Sequence, residues 1–96
     1  MNDSKQAVEI QGEIAAVLLH DWDPIGVQQD AGAQDEYDSY VGGVYRLLAQ
    51  GATSQAIAGH LAGIEMLEMG LEPSSMNTLL PVADKLRAIK VTLGAV

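Results

Sequence analysis

The sequence predicts an all-α protein, a four-helix bundle or a compact orthogonal helical array. Three observations point there. Apolar residues recur at helical spacing in four separate stretches, each stretch is bounded by capping residues, glycine or proline, and no run of alternating polar and apolar residues competes. The 96 residues suit a single domain, 1–96. A chain of that size buries about 60–65% of its unfolded surface, so each buried side chain carries much of the stability. With no Phe, one Trp and three Tyr, the core is expected to be built from Leu, Ile, Val, Met and Ala.

The first helix is expected from Ser4 to His20, capped by Asp3 or Ser4, with Val8, Ile10, Ile14, Val17 and Leu18 on its inner face. The second is expected from Glu36 to Gln50. Asp35 suits its N-cap, Glu36 and Asp38 suit its first turn, and the stripe is Tyr37, Val41, Val44, Tyr45 and Leu48. Gly51 fits a left-handed C′ position. The third is expected from Gln55 to Met69, capped by Thr53 or Ser54, with Ile57, Leu61, Ile64 and Leu67 inward. Gly70 closes it, with Leu71 folded back on Met66. The fourth is expected from Leu79 to Leu93, with Asn77 or Thr78 as cap and Pro81 in the first turn, where a missing N–H is harmless. Its inner face is Leu79, Val82, Ala83, Leu86, Ile89 and Leu93, and Lys85, Arg87 and Lys90 suit the negative end of the helix dipole. Short connections make the second, third and fourth helices expected antiparallel neighbours.

Charge narrows the function classes. The formal net charge is −8, and residues 1–76 carry twelve acids against Lys5 and Arg46. Such a surface repels phosphate backbones and anionic lipid, so neither nucleic acid nor membrane is an expected partner. A basic protein is the expected partner, drawn in faster at low salt. The chain has no cysteine, which excludes disulfides and thiolate metal sites and fits a reducing compartment. With no leader-like segment or long apolar run, the expectation is a soluble cytoplasmic protein.

The stretch "HDWDPIGVQQDAG", His20 to Gly32, raises the question of chemistry. Asp21, Asp23 and Gly26 match positions one, three and six of a calcium loop, but Ile25 and Gly32 occupy positions that need ligands. His20, Asp21 and Asp23, joined by His60, contain the right atoms for a transition metal without the spacing of a known signature. The reading that accounts for more residues is a corner between helices. Pro24 drives Asp23 out of helical angles, Asp23-Pro24-Ile25-Gly26 suits a type I turn, and Trp22, Ile25 and Val27 act as apolar pegs. The indole N–H then needs an acceptor, an aspartate or a backbone carbonyl.

Asp35, Glu36 and Asp38 read as helix-start charges rather than an acid–base pair. No serine lies in a nucleophile-elbow pattern and no glycine-rich phosphate loop occurs, so no enzyme, cofactor or resident metal is expected. Mid-helix glycines, Gly42-Gly43 and the pair Gly59 and Gly63, point to close helix approach, either within the fold or in a homodimer. The expected partner-binding set is Asp21, Trp22, Asp23, Asp30, Asp35, Glu36 and Asp38.

"WDPIGV", then "DEYDSYVGGVYRLL", then "HLAGIEMLEMGL" together resemble a group of small bacterial helical proteins. They share a W-D-P-x-G-V turn followed by D-E-Y-D. The resemblance spans residues 14–71, and the Trp22-Asp23-Pro24 turn is its most specific part. It implies an all-α fold and no assigned activity. Small acidic proteins of similar pattern look like antitoxin or immunity partners, which makes an acidic interaction module the expected function. A structural homo-oligomer and a metal protein using the His20–Asp23 loop are the alternatives.

Overall fold

The computed structural model describes residues 3–89, with side chains from Ala7 onward. The expected caps Asp3 and Ser4, and Lys90 and Leu93 of the fourth helix, lie outside the described residues and side chains.

Helices form where the spacing places them. Helix α1 runs Asp3–Val17 and continues as a π-helical turn, Leu18–Trp22. Helix α2 is Asp38–Ala49. Helix α3 is Ser54–Gly63 and also continues as a π-helical turn, Ile64–Glu68. Helix α4 is Met76–Arg87. No strand occurs among the described residues.

The ends differ from expectation in instructive ways. Asp35 and Glu36 do not cap α2; they lie in consecutive turns before it, and the N-cap position falls to Tyr37, whose side chain makes no cap bond. Thr53 caps α3 by accepting from Ala56 N–H, as expected. Helix α4 starts earlier than expected because Ser75, not Asn77 or Thr78, accepts from Thr78 N–H. Pro81 therefore sits in the second turn, where it denies the Asn77 carbonyl its helical donor. At the end of α2, Gly51 is left-handed at φ +73°. Ala52 N–H donates to Leu47 C=O and Gly51 N–H to Leu48 C=O, the paired bonds of a Schellman closure.

Two antiparallel hairpins, α1 with α2 and α3 with α4, share one core. Ile14, Leu18, Val44, Ile57, Leu61, Leu79 and Leu86 are fully buried at its centre, and Trp22 and Tyr37 close one end. The expected side-by-side packing of α2 on α3 does not form: α2 lies along α1, and it meets α3 chiefly where Gly43 faces His60. Three residues expected in the core are at the surface: Val8 at 66% exposure, Leu67 at 76% and Ile25 at 43%. Within the second hairpin, Ser54 at the start of α3 is a polar tie: its hydroxyl donates to Asp84 on α4 and accepts from Arg87.

The glycines separate by environment. A Cβ on Gly43 would stand 3.1 Å from His60 Nε2, so this position lets two helices approach. A Cβ on Gly42, Gly59 or Gly63 meets nothing within 4 Å. We expect Gly59→Ala to raise stability by about 0.5–1 kcal/mol in urea denaturation, since it adds helix propensity without a clash. A loss of stability would mean that the open face of α3 is occupied.

Candidate functional site

The corner after α1 is built around a left-handed aspartate. Asp23 has φ +33°, a left-handed conformation that Asp tolerates better than most residues; Pro24 excludes right-handed helical angles there and so ends the helix. The Asp23 N–H still closes the π turn on Leu18 C=O, and its own C=O accepts from Gly26 N–H. The carboxylate faces back along the loop. Oδ1 accepts from Val27 N–H at 2.7 Å and from the Tyr37 hydroxyl at 2.7 Å. Oδ2 accepts from the Gln28 N–H and the Gln28 side-chain amide, each at 3.1 Å. Tyr37 in turn accepts from Ile25 N–H. Burial works to raise the Asp23 carboxyl, but bonds from Tyr37, Val27 and Gln28 outweigh it and hold the group below its ordinary 3.8. Tyr37 is pushed far up by burial and by donating to that carboxylate.

The single tryptophan finds an acceptor on a different element from either expected class. Trp22 Nε1 donates to Glu65 Oε2 at 2.8 Å, 43 positions away in sequence. Glu65 is 1% exposed. Its other contacts come from the α3–α4 connection: Ser74 N–H donates to Oε1 at 2.6 Å and the Ser74 hydroxyl to Oε2 at 3.0 Å. Tyr37 lies tilted against Trp22 with ring centroids 5.3 Å apart, and Tyr40 meets it edge-on at 6.1 Å.

Residues 28–38 mostly face water. Asp30 accepts from Gly32 N–H at the start of a 3-10 turn, Ala31–Ala33. Gln34 ties the loop by donating to the carbonyls of Gln28 and Asp30. Asp35, Glu36 and Asp38 are exposed.

The structure thus divides the predicted site residues. Trp22 is buried and the Asp23 carboxylate is engaged within the loop. Asp21 is paired with Lys85 of α4 at 2.8 Å. Asp30, Asp35, Glu36 and Asp38 remain as an exposed acidic segment with no cation within ion-pair distance among the described residues. The metal constellation does not assemble: Asp21 and Asp23 are engaged as above, and His60 lines a cleft between α2 and α3. No three His, Cys, Asp or Glu side chains among the described residues gather in a way that holds a metal ion. Burial holds the His60 imidazole below its ordinary 6.5.

Glu65, Ser74 and Lys85 were not among the expected site residues. The signal for Glu65 was its position: it stands four residues after Leu61 and eight after Ile57, on the apolar stripe itself.

No protein-family model, no curated protein and no solved structure matches the chain. No described helix is long and apolar enough to cross a membrane.

Two outcomes are expected from these contacts. Glu65→Ala strands three donors, the Trp22 indole N–H and the Ser74 amide and hydroxyl, and should cost about 2–4 kcal/mol in urea denaturation; Trp22→Phe, which removes one bond and keeps an aromatic ring, should cost about 1–3. Because the Asp23 carboxyl is lowered in the folded chain, its contribution is present above pH 3.8 and lost as pH falls through the folded value. An Asp23→Asn variant should therefore show a flatter loss of stability than the parent below pH 3.8, read from urea midpoints by circular dichroism.

Proposed function

We propose that the chain is a protein-interaction module whose acidic face binds a basic protein, in the manner of an antitoxin or immunity protein. The carrying observation is the run Asp30, Asp35, Glu36 and Asp38, exposed and without a cation partner among the described residues. Unpaired surface charge of one sign contributes little to folding and much to encounter with an opposite partner. Carboxylates in such a face cover the cations that a basic enzyme uses for its own anionic substrate. The binding role needs no cofactor and no catalytic group. The Trp22-Asp23-Pro24 corner supports the face from below, fixing the path of the segment that presents the acids. Membership of the small bacterial helical proteins that share this corner, and residence in the cytoplasm, belong to the same reading.

The test is affinity capture at low salt with mass-spectrometric identification, followed by association kinetics against the captured protein. A basic partner is expected, with an association rate that falls as salt rises. The fourfold neutralised variant D30N/D35N/E36Q/D38N should associate about tenfold or more slowly while melting like the parent. Recovery of no basic partner, or rates indifferent to salt, overturns the proposal.

A further inference from the structure

A second feature lies just beyond the acidic segment. Between α2 and α3 the structure has a cleft of about 390 Å³, lined by Ser39, Tyr40, Gly43, His60, Ile64 and Glu68. Gly43 makes it possible: with no side chain there, the His60 ring lies against the backbone of α2. Ile64 supplies a buried apolar wall. The four polar members are idle toward the protein. The Ser39 and Tyr40 hydroxyls, the His60 ring nitrogens and the Glu68 carboxylate make no side-chain hydrogen bond among the described residues, and burial alone perturbs the imidazole. Ser39 and Glu68 are exposed and Tyr40 and His60 half-buried, so these groups face the concavity's solvent and are available to a ligand.

The lining selects the ligand. No Lys or Arg lines the cleft, and Glu68 contributes a carboxylate. Anions are therefore disfavoured. One carboxylate and one imidazole do not make a metal site. An aromatic ring beside a carboxylate suits a planar, weakly hydrated cation, which stacks on the ring and forks its N–H groups onto the oxygens. We propose that the cleft receives the guanidinium of an arginine side chain on the basic partner. Glu68 is its counter-charge, the Tyr40 ring its stacking surface, and Ser39 and His60 accept its remaining N–H groups. This rests on the acidic-face reading and adds to it a specific seat for one residue of the partner.

The experiment uses the whole chain and a defined probe. Amide and side-chain resonances are followed by NMR while acetyl-arginine amide, acetyl-lysine amide or acetyl-citrulline amide is added. Citrulline keeps the shape of arginine and loses its charge. The expected result is saturable shifts centred on Tyr40, Gly43 and His60 with arginine, several-fold weaker binding with lysine and none with citrulline. Glu68→Gln, at an exposed position, should weaken the arginine response about tenfold, equivalent to about 1.4 kcal/mol. The variant D30N/D35N/E36Q, which leaves Asp38 beside the cleft residue Ser39 in place, should keep it within about twofold at high salt, where the Debye length falls to about 3 Å at 1 M. Absence of saturable shifts overturns the proposal. So do shifts spread over residues 30–38 and unchanged by Glu68→Gln. A partner captured in a salt-dependent way by a chain whose cleft stays silent overturns the arginine seat alone and leaves the acidic face standing. A cleft that responds as expected, with no basic partner recovered, supports the seat and overturns the acidic-face reading.

Discussion

The structure depends on one buried carboxylate and its three donors. Glu65 sits at the meeting point of the end of α1, the end of α3 and the connection to α4; one donor comes from the first of these and two from the last. Burying a carboxylate is costly unless its lone pairs are satisfied. Here the donors come from an indole and from one serine's backbone and hydroxyl, so the carboxylate is tolerated only if all three elements are in register. The interaction therefore specifies how the hairpins dock more than it strengthens the docking. An apolar residue of similar volume would fill the space and leave the relative placement of the hairpins less constrained.

Both partners of this contact stand in wide helical turns. Asp23 N–H bonds to Leu18 C=O and Met69 N–H to Ile64 C=O, each five residues back. The π geometry adds a residue to the turn and rotates the positions after it. On α3 this turns Leu67 out to water, while Met69 packs on the core. Leu71 N–H then closes on Glu65 C=O, six residues back, one wider than the Schellman closure of α2. On α1 the wide turn delivers Trp22 inward beside Asp21, which reaches Lys85 outside.

Periodicity made most of the fold readable. Ile10, Ile14 and Leu18, Val41 and Val44, Ile57 and Leu61, and Leu79, Val82 and Leu86 are buried where helical spacing places them. The corner was readable too, since Pro24 and Gly26 restrict the backbone whatever lies around them. The features that escaped were decided by contacts between distant segments. Glu65 occupies a stripe position, yet its charge argues for the surface until the Trp22 and Ser74 donors are known. Leu67 looks like core in an ideal helix and is displaced by the π turn. Asp35 is a good capping residue, but Tyr37 is held by Asp23 across the loop, and α2 starts after it. Of the acids proposed for binding, sequence alone did not separate Asp21 and Asp23, which have partners, from Asp30, Asp35, Glu36 and Asp38, which have no cation partner among the described residues.

The hairpin arrangement sets how the molecule acquires its shape. Each hairpin joins helices adjacent along the chain, so each forms from neighbouring segments with modest loops to close, a topology that collapses rapidly. The indole–carboxylate contact spans 43 positions and cannot close until both hairpins are in place. Contacts within each hairpin are local, whereas this one is among the long-range contacts that must close for the shared core to form. A chain that lacks this contact leaves the Trp22 indole N–H and the Glu65 carboxylate without each other, one on each hairpin.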